Sequence, residues 1–204
     1  KIKCIIFDMD GVLIDAKEWH YFSLNNALNL FGEEISREEH NLKFDGLSTK
    51  KKLSMLSEEN RIPLALHSTL NIIKQNFTIN HIFQDCNPIF HHEYALSKLK
   101  NEGYKLALAS NSIRATVGLM MERANISKYF DLTLSNNDVT NPKPNPEIYT
   151  SAMRMLNVDP LECLILEDND YGITAAKASG ANCMIINSVN DVSYENIKNK
   201  IETL

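Results

Sequence analysis

No stretch of the 204-residue chain approaches the roughly 20 consecutive apolar residues that cross a bilayer, so no membrane association is expected. A basic stripe is missing too: 21 Lys and Arg are interspersed with 26 Asp and Glu, giving a formal charge of −5. Such a surface offers a nucleic-acid backbone nothing to hold, and no nucleic-acid partner is expected. The four cysteines, Cys4, Cys86, Cys163 and Cys183, show no CxxC or other metal-ligand spacing. Three of them fall in apolar strand-like runs, where a free thiol packs as a small hydrophobe. The opening apolar run before Asp8 is too short for a signal-peptide core, which points to a cytoplasmic protein. Internal repeats, low-complexity tracts and long linkers are also lacking.

What is present is a chain with 44% hydrophobic residues, enough for a sizeable core. Short apolar runs at Ile2–Phe7, Leu106–Ala109, Asp131–Leu134, Leu164–Leu166 and Met184–Ile186 read as fully buried strands. Between them lie amphipathic patterns at Ile89–Asn101, Ile113–Ala124, Pro146–Leu156, Gly172–Ala178 and Asn190–Ile201. This alternation predicts an α/β fold, a Rossmann-like parallel sheet with helices on both faces. The interval from Ala16 to Phe77 breaks it, with helical patterns at Lys17–Phe31, Arg37–Lys43, Thr49–Glu59 and Ala65–Phe77 and no strand. The expected organisation is a discontinuous core, residues 1–15 and 79–204, with a small all-helical cap, residues 16–78, inserted after the first strand.

Open parallel sheets bind ligands beyond the carboxyl ends of their strands, so the residues following each strand carry the information. After the first come Asp8-Met9-Asp10-Gly11. Asp8 and Asp10 point to the same side, and two carboxylates so close repel unless a cation sits beside them. Gly11 permits a tight, anion-cradling turn, although a plain Asp-Gly turn is a rival account. Ser110-Asn111-Ser112 follows the second strand, either as a helix cap or as a phosphate site at a helix start. Lys143 is framed by Pro142 and Pro144, which restrict its backbone and suit an ammonium aimed at one anion. Glu167-Asp168-Asn169-Asp170 closes the fourth strand, a second acidic group suited to a hard divalent cation such as Mg²⁺. One fold would gather all four loops at one sheet edge.

Together, Phe7-Asp8-Met9-Asp10-Gly11-Val12-Leu13, Ala109-Ser110-Asn111-Ser112, Lys143-Pro144 and Glu167-Asp168 with Gly172 and Gly180 resemble the four signature motifs of the haloacid dehalogenase superfamily. The helical insert resembles the C1-type cap of the β-phosphoglucomutase-like branch. The resemblance implies a Mg²⁺-dependent phosphatase acting on a small phosphorylated metabolite through a phospho-aspartyl intermediate. It makes Asp8 the nucleophile and a metal ligand. Asp10 becomes the general acid/base, with its carbonyl on the metal. Met9, Ser110, Asn111 and Lys143 hold the phosphoryl group, and Glu167 and Asp168 complete the metal site. An ionised aspartate needs no activating base; neutralising the phosphate oxygens is the harder task, which Mg²⁺ and Lys143 would perform.

In the cap, His20 and the loop Phe44-Asp45-Gly46-Leu47-Ser48 are the substrate-facing candidates, with Gly46 and Ser48 singled out. His20 has a rival account as an ordinary helix residue. The remaining histidines read as packing or surface residues, and Lys50-Lys51-Lys52 as a solvated helix start, with attraction of an anionic substrate as the rival account. Sugar-phosphate mutases of the same branch share a histidine at the His20 position but carry an arginine where this chain has Thr49. A threonine or serine is also usual where it has Ala16. Both departures favour hydrolysis over mutase chemistry. A dehalogenase and a non-catalytic phosphate binder are weaker alternatives, since the chain keeps Asp10, the acidic pair, Asp8 and Lys143. A monomer or weak oligomer is expected.

Overall fold

Strand β1 (Cys4–Phe7) is buried along its whole length because it lies at the centre of a five-stranded sheet. In the computed structural model, which describes residues Lys1–Leu204, its companions are β2 (Lys105–Ala109), β3 (Leu132–Leu134), β4 (Cys163–Glu167) and β5 (Asn182–Ile185). The order is β3-β2-β1-β4-β5 and every pairing is parallel. Alternate side chains feed opposite layers: Ile5, Phe7, Leu106, Leu108, Leu164 and Leu166 join one apolar cluster. Cys4, Ile6, Ala107, Ala109, Cys163 and Ile165 join the other. Covering both faces is what makes these strands continuous apolar runs. Cys4 and Cys163 sit in register across β1 and β4 as free thiols, packing as expected.

The chain has nine helices: α1 (Lys17–Asn29), α2 (Arg37–Glu39), α3 (Thr49–Glu58), α4 (His67–Asp85), α5 (Phe90–Asn101), α6 (Arg114–Arg123), α7 (Glu147–Leu156), α8 (Asp170–Ala178) and α9 (Tyr194–Glu202). Side chains of α5, α6 and α9 pack on the first face, and those of α7 and α8 on the second. Helices α1, α3 and α4 share a third, separate cluster containing Leu24, Leu28, Phe44, Leu53, Leu56 and Leu70. No helix is long and apolar enough to cross a membrane.

Three helical expectations are corrected. The pattern read as Arg37–Lys43 divides into the single turn α2 and a π-helical turn, His40–Phe44. Helix α9 starts at Tyr194 rather than Asn190, because Val189–Asp191 forms a 3₁₀ turn and Ser193 then caps the helix. The helix expected to stop at Phe77 continues to Asp85. Its inward stripe is Leu70, Lys74, Thr78 and Ile82, at strict four-residue spacing. Two of those four are polar, so apolar periodicity loses the helix halfway along. At about 1.5 Å per residue, α4 is a strut from the third cluster, at Leu70, to the sheet cluster, at Ile82.

Candidate active site

The carboxyl ends of β1, β2 and β4 meet where the strand order reverses around β1, the usual ligand position in such sheets. Asp8 follows β1 directly, and its side chain is 7% exposed. Lys143 Nζ lies 2.6 Å from Asp8 Oδ1, 2.6 Å from Glu167 Oε1 and 2.9 Å from the Ala109 carbonyl oxygen. All three of its donors are therefore used, and Lys143 stands between two carboxylates, 2% exposed. Burial opposes its charge, but Asp8 and Glu167 outweigh that and raise the ammonium above its ordinary value. Burial and the nearby Glu167 push the Asp8 carboxyl well up despite Lys143. An added cation would relieve that strain.

Asp8, Glu167 and Asp168 offer oxygen atoms that all lie within 4.8 Å of one another. The two acids of the pair differ in what they have to spare. Glu167 Oε1 accepts from Lys143 and from the Tyr149 hydroxyl, while Oε2 accepts from Asp168 N and Asn169 Nδ2. Asp168 Oδ2 is buried and accepts no aligned hydrogen bond, although Lys17 Nζ lies 2.6 Å away. Asp168 Oδ2 is thus paired only with the partly exposed Lys17, which a hard cation could displace, and its Oδ1 accepts from Asn169 Nδ2 at 3.1 Å, whereas Glu167 is spent on orienting Lys143. The set fits a divalent cation with oxygen ligands, and Lys17 supplies a positive charge at its edge.

Asp10 stands beside this group. Its Oδ2 accepts from Ser112 Oγ at 2.9 Å, and its Oδ1 is 3.1 Å from His20 Nε2. Lys74 Nζ in turn lies 3.1 Å from His20 Nδ1. Burial alone would raise the Asp10 carboxyl, but His20, Ser112 and Lys74 outweigh it and hold it below its ordinary value. Burial is also the main reason His20 is lowered, with Asp10 opposing and Lys74 reinforcing. The backbone N–H groups of Met9, Asp10 and Asn111 have no acceptor within the protein. Lying just beyond β1 and β2, they are donors available to an anion.

The other expected residues occupy distinct places. Ser110 is fully buried; its Oγ accepts from Ser112 N, and its own proton has no protein acceptor. It does not cap α6, whose N-cap is Ile113. Asn111 commits its side chain to tying loops together, accepting from Lys143 N at 3.1 Å and donating to the Gly46 carbonyl at 2.9 Å. What it leaves for an anion is its backbone N–H. Ser48 caps α3 by accepting from Lys51 N. Gly46, at φ +75°, lies so close to the core that a Cβ there would come within 2.3 Å of Asn169 Oδ1. Asp8, Asp10, His20, Gly46, Ser48, Asn111, Lys143 and Asp168 all border one cavity of about 400 Å³ between the helical insert and the sheet edge.

The expectation of a solvated Lys50-Lys51-Lys52 holds for the first two and fails for Lys52, which is 6% exposed and borders the same cavity. His40 and His92 are buried packing residues, as expected. Three contributors escaped the sequence reading, Lys17, Lys74 and Tyr149, while Ser112, read there as part of a cap or phosphate site, serves instead as a donor to Asp10. A lysine on the inward stripe of α4 was the one available signal, since unpaired charge is seldom placed there.

Fold and site together define an α/β enzyme with an acid–lysine–acid centre at the sheet's switch point, roofed by helices. The family model of haloacid dehalogenase-like hydrolases matches residues 5–186, and the chain belongs to that family. Among curated proteins, the chain is 28% identical over 195 residues to a phosphorylated carbohydrates phosphatase of Thermotoga maritima, covering 93% of this chain and 88% of that protein. It is 26% identical over 183 residues to pyrophosphatase PpaX of Bacillus cereus, covering 88% and 81%. Among solved structures, it resembles β-phosphoglucomutase from Clostridium difficile with a TM-score of 0.84 and 25% identity, covering 100% of this chain and 98% of that one. The chain is a hydrolase with phosphatase relatives, built on the β-phosphoglucomutase-like fold.

Proposed function

We propose that the chain is a Mg²⁺-dependent phosphatase that hydrolyses a small phosphate monoester through a phospho-aspartyl intermediate on Asp8. The observation that carries this reading is the placement of Asp8. Its carboxylate borders the cavity, with Lys143 at 2.6 Å and the Asp168 oxygen within the same acidic cluster. Bound at Asp8 and Asp168, Mg²⁺ would neutralise phosphate oxygens and the crowded carboxylates. Lys143 and the free N–H groups of Met9, Asp10 and Asn111 take the remaining oxygens, with the unspent Ser110 proton beside them.

In the first half-reaction an Asp8 oxygen attacks phosphorus, and the bond to the leaving oxygen breaks. Asp10 gives that oxygen its proton. In the second, Asp10 removes a proton from water as the water oxygen attacks phosphorus, freeing inorganic phosphate and restoring Asp8. His20 and Ser112 hold Asp10 in place for both steps. In the empty site they favour its ionised form, while a phosphate dianion nearby opposes that and favours the proton. Residues 16–78 act as the cap, and the Asn111–Gly46 contact latches it shut over the substrate, excluding water.

The test is release of phosphate from para-nitrophenyl phosphate with Mg²⁺ and with a chelator. Activity should require the metal, and Asp8→Asn should reduce turnover by about 10³-fold or more while leaving the melting temperature unchanged or higher. Retained turnover in Asp8→Asn refutes the mechanism. The likeness to β-phosphoglucomutase along the whole chain supports a second reading, sugar-phosphate isomerisation. Bisphosphate-dependent isomerisation without net phosphate release would establish it instead.

A further inference from the structure

Lys17, the first residue of α1, spans two carboxylates: its ammonium lies 2.6 Å from Asp168 Oδ2 and 3.8 Å from Asp45 Oδ2. Asp168 belongs to the acidic cluster at the sheet edge, and Asp45 to the loop that leads into α3. The side chain reaches Asp168 by passing over Gly11, where a Cβ would come within 2.6 Å of Lys17 Cε and 2.1 Å of Asp168 Oδ2. The Asp168 side chain is only 1% exposed, so its charge needs a partner, and in the empty protein Lys17 is the partner it has. Of the two lysines that meet the acidic cluster, only this one can leave. Lys143 is 2% exposed with every donor used, whereas the Lys17 side chain is 39% exposed and held by carboxylates alone. So exposed a lysine is weakly held, and a divalent cation draws the same oxygens more strongly. A receiving group already stands beside it, since Asp45 has no other cation within ion-pair distance.

We propose that Lys17 is a stand-in for the metal: its ammonium holds the place of a divalent cation at Asp168 in the empty protein, and it moves to Asp45 when that cation binds. The metal comes from the phosphatase reading, on which the proposal rests; the exchange of partners rests on the two carboxylates that Lys17 already spans. Such an exchange leaves Asp168 with a counter-charge in both states and makes the cation compete for its site. It also removes an ion pair between the helical insert and the sheet edge as the metal enters. A Lys17 that only ties the insert to the sheet would leave metal affinity untouched.

The measurement is calorimetric titration of Mg²⁺ alone into the substrate-free protein, beside thermal unfolding in chelator and in excess Mg²⁺. Lys17→Met should bind Mg²⁺ about 5-fold or more tightly than the unaltered chain, while Lys17→Arg, which keeps the charge, should stay within about 2-fold of it. In chelator Lys17→Met should melt at a lower temperature, because Asp168 has lost its counter-charge, and excess Mg²⁺ should close that gap. Asp45→Asn should weaken Mg²⁺ binding by about 3-fold in the unaltered chain and by clearly less beside Lys17→Met. Unchanged Mg²⁺ affinity in Lys17→Met, equal tightening in Lys17→Arg, a melting gap that persists in Mg²⁺, or an equal effect of Asp45→Asn in both backgrounds overturns the exchange. Lys17→Gln repeats the series, and failure of both neutral variants to fold in Mg²⁺ overturns it as well. Hydrolysis of para-nitrophenyl phosphate keeps the two readings apart. Mg²⁺-dependent turnover without these Lys17 effects sinks the exchange alone. The effects without turnover sink the phosphatase alone, and no Mg²⁺ binding sinks both.

Discussion

Replacing Lys74 by methionine should make the empty protein more stable and the enzyme worse. Folding buries the Lys74 ammonium and lowers its pKa from 10.5 to about 7. A group whose pKa falls on folding binds fewer protons when folded, so its contribution to stability rises with pH. Taken at face value, keeping the lysine costs the fold about 5 kcal/mol near pH 6 and about 2 kcal/mol near pH 9. The contact with His20 works the other way by about 1 kcal/mol, and water in the cavity hydrates part of the ammonium. Lys74→Met should therefore gain about 2 kcal/mol near pH 6 and almost nothing near pH 9. For a chain of this length that is a melting-temperature rise of roughly 5 °C at the lower pH. Titrations remote from Lys74 cancel in the difference, whereas His20 and Asp10 both lose its lowering influence in the variant. Activity should fall by about 10-fold, since His20 loses the group at its Nδ1 and holds Asp10 less firmly. The assay is thermal unfolding of both proteins across this pH range in chelator, beside steady-state kinetics. A lower melting temperature for the variant, or a gain independent of pH, would show that Lys74 is not enclosed as a charge.

Tyr149→Phe removes the hydroxyl that donates to the buried Glu167. Losing a bond to a charged group should cost about 1.5–3 kcal/mol and lower the melting temperature by roughly 4–8 °C. Turnover should fall by less than about 10-fold, because Lys143 still pairs with Glu167; an unchanged melting curve would mean that Tyr149 does not hold that carboxylate. Gly46→Ala places a methyl group against Asn169 on a backbone at φ +75°, so the cap loop must lift. The KM should rise by about 10-fold, whereas Gly32→Ala, at φ +77° with nothing within 4 Å, should cost only the backbone strain of about 1 kcal/mol and leave KM alone.

What the sequence revealed of the site follows a physical rule. Asp8 and Asp168 lie just beyond strands and Lys143 in the loop that follows β3, and a parallel sheet brings all its strand ends to one edge whatever the remaining packing does. Reading the strands was enough to gather those residues. Lys52, Lys74 and Tyr149 lie inside helices, and a helical residue faces a site only if the whole helix is docked at the right rotation. That rotation depends on tertiary contacts, so Lys74 and Tyr149 were hidden until the chain was folded, and nothing in the run Lys50-Lys51-Lys52 told which of the three faces the site. Helix α4 shows the same limit. Its stripe of Leu70, Lys74, Thr78 and Ile82 turns polar where it passes the cavity, and that polarity disguised both its length and its role. Asn111 shows a third limit, since its type suited a phosphate contact while its side chain is committed to Lys143 and Gly46.

The arrangement of charge explains why the hidden residues belong to the same chemistry as the visible ones. The floor of the cavity is anionic, with Asp8, Asp10 and Asp168 crowded together; burial and neighbouring carboxylates push Asp8 and Asp168 upward, while His20, Ser112 and Lys74 hold Asp10 down. Its roof is cationic, with Lys52 and Lys74 lowered by the same enclosure. Floor and roof do not neutralise each other directly, because no carboxylate reaches either lysine. A divalent cation on the floor and a phosphate beneath the roof would relieve both at once. On this account binding energy comes largely from removing unfavourable pairs already present in the empty protein. It follows that charge-removing substitutions at the roof, like that at Lys74, should stabilise the fold while weakening the substrate, and that metal and substrate should each bind more tightly in the presence of the other.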